Sequence, residues 1–485
     1  MKRPYVLTLG LLALTACGSS EQNPDTTLIA GDGLTALSAP PMDFTAPLSG
    51  SLTVSTFDSM LTGPFLEEAA QMFMAVHPET QITVSSFSSP PHVQQAGDGG
   101  AVRMMSAGDL TQERRDYVNM INTELMSGRG PDVLAMDVLP FHVYAEQGQL
   151  VDLLPFMAAD PGFFREHYRT NILEAVASPA GQFMFPIDYD FRYLAYDSSL
   201  FAGDQLTALT SQQVFSFADM MAIAQLTAVD GYWFGMGVPQ LFNELFAQRF
   251  DQFVDTQTGT ATFTDGRFET MIEQLMAIES HLPMSAMAMA QAGGQGGGGG
   301  QTMGFNHAEA FGFKPRPSAL LLSELEHQQG ILGQTLVMGH SGMLGNRDND
   351  VVAGVIGDTY GRVPFTVHQG FGINANADTE TQRLAWAFIR FLSDEAMRGS
   401  TLMRGLPTHI EAFADRASLA ADPAILTDYL AQVEAFTAQL NHFVTTDTLI
   451  TDVVMAEMLT FFNGQQSASQ VAQTLQNRIS LILNE

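Results

Sequence analysis

The sequence predicts an α/β architecture with mostly parallel sheets flanked by helices. Three observations predict it. Leu52-Thr53-Val54-Ser55 is a short β-branched run. Phe65, Ala69, Met72, Phe73 and Val76 then recur at helical spacing, and Pro78 closes that helix. Gln81-Ile82-Thr83-Val84 reads as a second strand, so strand, helix and strand follow one another as in a βαβ unit. The composition can support such a fold. The chain has 485 residues, enough for about three domains or two large lobes. Apolar residues make up 46% and charged residues 15%, which excludes wholesale disorder.

Ahead of this body lies an export segment. Met1-Lys2-Arg3 is basic, Val6 to Leu14 is apolar, and Leu14-Thr15-Ala16-Cys17 follows. A short basic region, an apolar core and small residues make a secretory signal, here residues 1–16. The tetrapeptide resembles the bacterial lipobox, which implies that Cys17 carries the lipid anchor. Cys17 is the only cysteine, so no disulfide forms within the chain. Small, polar and proline residues dominate from Cys17 to about Gly50 and read as a flexible tether over 17–49. No other run of eighteen or more apolar residues occurs.

The body continues in the same vein. A helix is predicted over about 111–126, and Pro131 to Asp137 is a strand with a carboxylate at its C-terminal end. Tyr193 to Tyr196 is a further strand, followed by helices near 217–226, 241–250 and 266–280. Gln291 to Gln301 holds seven glycines and is expected to be a flexible insertion. It is a poor phosphate cradle, because no strand precedes it and no Lys-Ser/Thr pair follows.

Charge narrows the chemistry. Acids outnumber bases 52 to 21, for a formal charge of −31. Nucleic acid and anionic lipid surfaces both need a basic footprint and are excluded as partners. The eleven histidines are scattered, the nearest pair being thirteen residues apart, so no zinc site is expected. Asn346 to Asp350 imitates a calcium loop, but Val351 and Gly357 stand where glycine and glutamate are required. Gly339-His340-Ser341-Gly342-Met343 nearly matches the nucleophile elbow of hydrolases. Met343 replaces the last glycine and a loop follows instead of a helix, so Ser341 reads better as part of a cleft-lining loop. Asp188 and Asp190 sit two apart on one strand face. They could receive hydroxyl or amine groups of a ligand, or Arg192 on the same face could neutralise one of them. Trp386 lies in the helical apolar stripe of Leu384, Phe388 and Ile389 and is a core residue. Trp233 could face a cleft or the core.

Several segments together resemble the bacterial extracellular solute-binding proteins of ABC importers, of the maltodextrin-binding type. They are Gly130-Pro131-Asp132-Val133-Leu134, Gln149 to Leu153, Phe185 to Asp190, Asp255 to Phe263, Val363-Pro364-Phe365 with Gly370 to Ala375, Leu384 to Ala396, and Leu475 to Ile479. They occur in the family's order from about Ser51 to Glu485. The resemblance implies a two-lobed periplasmic-binding-protein-like fold with a hinge between the lobes. Lobe one would hold residues 50–188 and 366–405, and lobe two residues 189–365 and 406–485. It implies a monomeric, lipid-anchored extracytoplasmic receptor that closes over a small polar solute, with sugars or oligosaccharides favoured, and delivers it to the permease subunits of an importer. No catalysis, cofactor or metal is implied. The ligand-binding residues would be Asp58, Asp137, Asp190, Ser341 and Gln369, with Tyr189 and Trp233 as aromatic walls. A lipoprotein hydrolase using Ser341, and a receptor of the same fold that feeds a sensor, are the alternatives.

Overall fold

The computed structural model describes residues 42–484 apart from 59–60, 89–106, 198–200, 204–206, 208–211, 227–231, 235–236, 257, 283–317, 325–349, 359, 401–404, 421–422 and 446. The signal segment, Cys17, most of the predicted tether, the glycine-rich segment 291–301 and Ser341 lie outside the described residues.

The strands, in chain order, begin with β1 (Gly50–Thr56), β2 (Thr80–Ser86), β3 (Val133–Ala135), β4 (Phe185–Pro186), β5 (Asp188–Asp197), β6 (Val214–Phe215) and β7 (Tyr232–Phe234). They continue with β8 (Val254–Asp255), β9 (Thr260–Ala261), β10 (Ser318–Glu324), β11 (Asp350–Ile356), β12 (Pro364–Thr366), β13 (Gly370–Ile373), β14 (Leu406–Pro407) and β15 (His442–Phe443). The helix Thr62–Val76 connects β1 to β2, which pair in parallel, so the βαβ unit forms where the sequence predicts it.

Among the described residues two sheets carry the fold. A five-stranded sheet runs β2-β1-β3-β13-β4. An eight-stranded sheet runs β15-β12-β5-β10-β7, with β11 and β14 on β5 and β6 on β11. Both are mixed, which corrects the expectation of mostly parallel sheets. β13 runs antiparallel to β3 and β4, and β5 runs antiparallel to β10, β11, β12 and β14. The reason is the chain's path. Segments that return from one sheet to the other enter reversed, and local residue patterning carries no sign of strand direction.

The chain passes between the sheets at Ile187, between β4 and β5, and again at residues 367–369, between β12 and β13. It returns once more before β14. The first two passages lie side by side, since the N–H of Ile187 donates to the carbonyl of Gln369 at 2.9 Å.

The segment from Gly130 to Asp132 anchors β3. Gly130 has φ of +124°, a conformation glycine adopts without a Cβ penalty, and it turns the chain into β3. The Asp132 carboxylate then accepts the Thr53 N–H at 2.8 Å and the Thr53 hydroxyl at 2.7 Å, which ties β3 to β1. Three apolar clusters result. One packs Leu52, Phe65, Phe73, Val133, Phe371 and Trp386 beneath the smaller sheet. Another packs Phe242, Phe246, Phe253, Phe263, Phe268 and Leu475 beneath the larger. The third joins residues of both sheets, among them Leu134, Met184, Tyr189, Phe191, Phe365 and Leu406.

The packed body starts earlier than expected. Met42, Phe44 and Leu48 rest against the first cluster, and Phe44 meets Phe156 edge-on at 6.2 Å. Arg383 donates to the carbonyls of Ala46 at 3.0 Å and Pro47 at 3.2 Å. Residues 42–49 are therefore docked, not tether. Proline and small residues dominate the local composition, but three apolar side chains suffice to hold the segment.

Candidate functional site

The site is built where the passages between the sheets meet the loop after β1. Asp58 lies in that loop. Its carboxylate accepts the N–H groups of Leu61 and Thr62, each at 3.3 Å, where the helix Thr62–Val76 begins. Its own N–H donates to Asp137 Oδ2 at 3.2 Å. Asp137 lies just past β3 and also accepts from the Thr56 hydroxyl at 3.4 Å. Thr62 in turn accepts Gln369 Nε2 at 3.4 Å. A polar chain thus runs from the end of β3 to the second passage.

It continues on the larger sheet. Asp190 Oδ2 lies 2.6 Å from Arg192 Nη1 and 3.6 Å from His368 Nε2, and Arg192 also pairs with Glu244. Asp190 is 1% exposed. Burial alone would push its carboxyl up, but Arg192 and His368 beside it hold it below the ordinary carboxylate range. Of the two readings of Arg192, this geometry is the ion pair.

Asp188 has a different task. It is fully enclosed, and its carboxylate accepts three backbone N–H groups: His368 at 3.0 Å, Gln369 at 2.8 Å and Gly405 at 3.0 Å. Those donors belong to the second passage and to the chain entering β14. One side chain on the first passage therefore fastens the other two. Burial pushes the Asp188 carboxyl up, against the pull of His368 and the three donors. The pair at positions 188 and 190 is thus a backbone staple and an ion pair, an arrangement unlike the two opposed carboxylates of a glycosidase.

Gln369 is central to the constellation. It is 1% exposed, and its Oε1 is buried without a hydrogen-bond partner among the described residues. A buried acceptor left unpaired is uncommon and points to a role. As a side-chain amide its oxygen and nitrogen are assigned from the surrounding hydrogen bonds, here the donation to Thr62.

The structure thus brings together Asp58, Asp137, Asp190 and Gln369. It places two predicted residues elsewhere. Tyr189 is fully enclosed in the third apolar cluster, and its hydroxyl lies 2.7 Å from Thr437 Oγ1. The alternation of a strand explains this, since Tyr189 points away from the face of Asp188 and Asp190. Trp233 packs on the second cluster and stacks on His281, with ring centres 4.0 Å apart. It lies on β7, whose Phe234 is in register with Leu320 and through it with Tyr196. That position is about 20 Å along β5 from Asp190, at roughly 3.3 Å per residue. Sequence reasoning missed Thr62, Glu244 and the stapling role of Asp188. Only an alternation count along β5 pointed to Asp188, and nothing local distinguishes a ligand-facing carboxylate from one that binds backbone.

No protein-family model matches the chain, and no curated protein matches it. Solved structures do. A family 1 extracellular solute-binding protein from Alicyclobacillus acidocaldarius superposes with a TM-score of 0.58 at 15% identity, covering 91% of this chain and 100% of that one. The sugar-binding protein MalE from Xanthomonas citri gives 0.54 at 18% identity, covering 90% and 98%. The ABC substrate-binding protein Lmo0181 from Listeria monocytogenes, in complex with cycloalternan, gives 0.52 at 15% identity, covering 90% and 99%. Among the described residues no helix is long and apolar enough to cross a membrane. The chain shares the α/β fold of these extracellular solute-binding proteins.

Proposed function

We propose that this protein is a receptor for a small polar solute, a sugar or oligosaccharide first of all, which it hands to an ABC importer. The lobes would be residues 50–188 with 366–405, and 189–365 with 406–485, and the passages at Ile187 and 367–369 support that division. The ligand would sit against Asp58, Asp137, Asp190 and Gln369, with Ser341 as a further contact. The observation that carries the reading is the buried Oε1 of Gln369, without a partner among the described residues, in a polar chain that runs from one sheet to the other. A ligand hydroxyl or amine would supply the missing donor. The names of the solved relatives, a sugar-binding MalE and a protein holding cycloalternan, favour a carbohydrate.

The test is a calorimetric screen of the purified protein against sugars, oligosaccharides, polyols and amines, repeated with Gln369→Leu. An unmade bond to a buried polar group costs about 1–3 kcal/mol, so the variant is expected to bind about ten- to a hundredfold more weakly. Its stability should change little, because among the described residues the amide makes only the long bond to Thr62. Equal affinity of the two proteins would remove Gln369 from the site.

Attachment to the extracytoplasmic membrane face through a lipid on Cys17 belongs to the same proposal. It rests on Leu14-Thr15-Ala16-Cys17 behind the short apolar core. Cys17→Ala is expected to shift the protein from the membrane fraction to the soluble fraction. Retention of that variant in the membrane fraction would dismiss the anchor and leave the binding reading intact.

A further inference from the structure

The third return of the chain runs straight into a helix. Thr408 follows β14, and its N–H donates to the Ile187 carbonyl at 3.0 Å while its hydroxyl donates to the Pro186 carbonyl at 2.9 Å. His409 comes next and is 3% exposed. Its carbonyl accepts the Phe413 N–H at 3.0 Å, at the start of the helix Ile410–Ala420. Its Nδ1 accepts the Ala412 N–H at 3.2 Å. His409 is therefore the N-cap of that helix, a place usually filled by serine, threonine, aspartate or asparagine. Those side chains keep their acceptor near neutral pH. A histidine ring keeps it only while Nδ1 carries no proton.

Among the described residues, Asp394, Arg398, Glu411, His167 and Tyr168 surround the ring. Asp394, in the turn Leu392–Ala396, places Oδ1 3.6 Å from Nδ1 and also accepts Arg398 Nε at 2.6 Å. Arg398 Nη2 donates to Glu411 at 3.0 Å. The rings of Tyr168 and His167 meet His409 edge-on at 4.9 Å and 5.9 Å. Burial first, then Arg398 and His167, hold the ring's proton affinity below that of an ordinary histidine, against the pull of Asp394 and Glu411.

We propose that His409 is a pH-sensitive cap, which fastens the helix Ile410–Ala420 and the third return while neutral and releases them in acid. A proton on Nδ1 removes the lone pair that holds Ala412, and the new N–H faces Asp394 Oδ1 instead. Asp394 is already shared with Arg398, so the exchange does not restore what the cap loses. The added charge also stands at the positive end of the helix dipole. A group held below its unfolded value of about 6.5 contributes its stability above that pH and loses it as pH falls further. The switch does not depend on what the main site binds.

The experiment is hydrogen exchange of the whole protein at about pH 7.5 and about pH 5, on either side of the histidine range, corrected for intrinsic exchange and read at Ala412 and Phe413. In the parent, protection at these amides is expected to fall about fivefold at the lower pH, the worth of one helix cap. His409→Asn keeps an acceptor that does not titrate in this range and should change by less than about twofold. His409→Ser is a second, shorter cap and should be equally flat. Each protein is compared with itself at the two pH values, so a general loss of stability in a variant leaves the reading intact. Thermal unfolding gives an independent measure, in which the parent should lose roughly 1–2 °C more than His409→Asn over the same interval. A parent that keeps its protection in acid would overturn the proposal. So would an equal fall in the parent and both variants, which would place the titrating group elsewhere.

Discussion

Replacing Asp188 by alanine is expected to lower stability by about 3–5 kcal/mol, one of the two largest effects anticipated for a single substitution in this protein. The side chain is fully enclosed and holds the N–H groups of His368, Gln369 and Gly405. Its loss strands three donors, two of them buried, each buried one costing about 1–3 kcal/mol. Relief of the buried charge offsets part of that sum. The fit around it is close, because a Cβ on Gly405 would stand 2.8 Å from the Tyr189 carbonyl oxygen and 2.9 Å from the Asp188 carboxyl carbon. Asp188→Asn separates the contributions. Its amide oxygen can still serve His368 and Gln369, but its NH2 group would face the Gly405 N–H, donor against donor. About half the full loss is expected there. Urea unfolding of both variants measures the effect, and an Asp188→Ala protein within about 1 kcal/mol of the parent would show that the passages do not need this staple.

Trp386→Ala is expected to cost a similar amount, about 3–5 kcal/mol. Trp386 is fully buried on the helix Thr379–Phe391. Its ring meets Phe163 at 5.6 Å and Phe185 at 5.5 Å, and its Nε1 donates to Asp160 Oδ2 at 2.9 Å. Alanine opens a cavity in the first cluster and takes a donor from Asp160. Arg390 Nη1 also binds Asp160, at 2.9 Å, so the carboxylate keeps one charged partner. Trp386→Phe should therefore lose much less, about 1–2 kcal/mol, since most of the buried area survives. Unfolding of the alanine variant at the parent's urea midpoint would mean that this part of the core is dispensable.

Particular elements show how far the sequence reaches. The apolar repeat of Phe65, Ala69 and Phe73 fell on the helix Thr62–Val76, and the β-branched runs at 52–55 and 81–84 fell on β1 and β2. Trp386 was legible as core from the spacing of Leu384, Phe388 and Ile389 around it. Such signals are local. A helix or strand repeats its buried side every few residues, and composition along that repeat reports which side is apolar. Asp58, Asp137, Asp190 and Gln369 were named together only through the resemblance to a known family, since no local repeat links them. Tyr189 was misplaced by proximity in sequence: its neighbours on both sides face the polar groups, and strand alternation turns it into the core.

By itself, then, the sequence determined where several of the helices and strands lie, which of their faces are buried, and that the chain builds an α/β body. The tertiary structure alone decided the direction in which returning strands pair and the partner of each buried charge. Asp188 meets Gln369 across 181 residues and Gly405 across 217. No periodicity links positions so far apart. Whether a buried carboxylate binds backbone, an arginine or a ligand depends on which donors the folded chain brings within about 3 Å of it, and that is settled only when the sheets have packed.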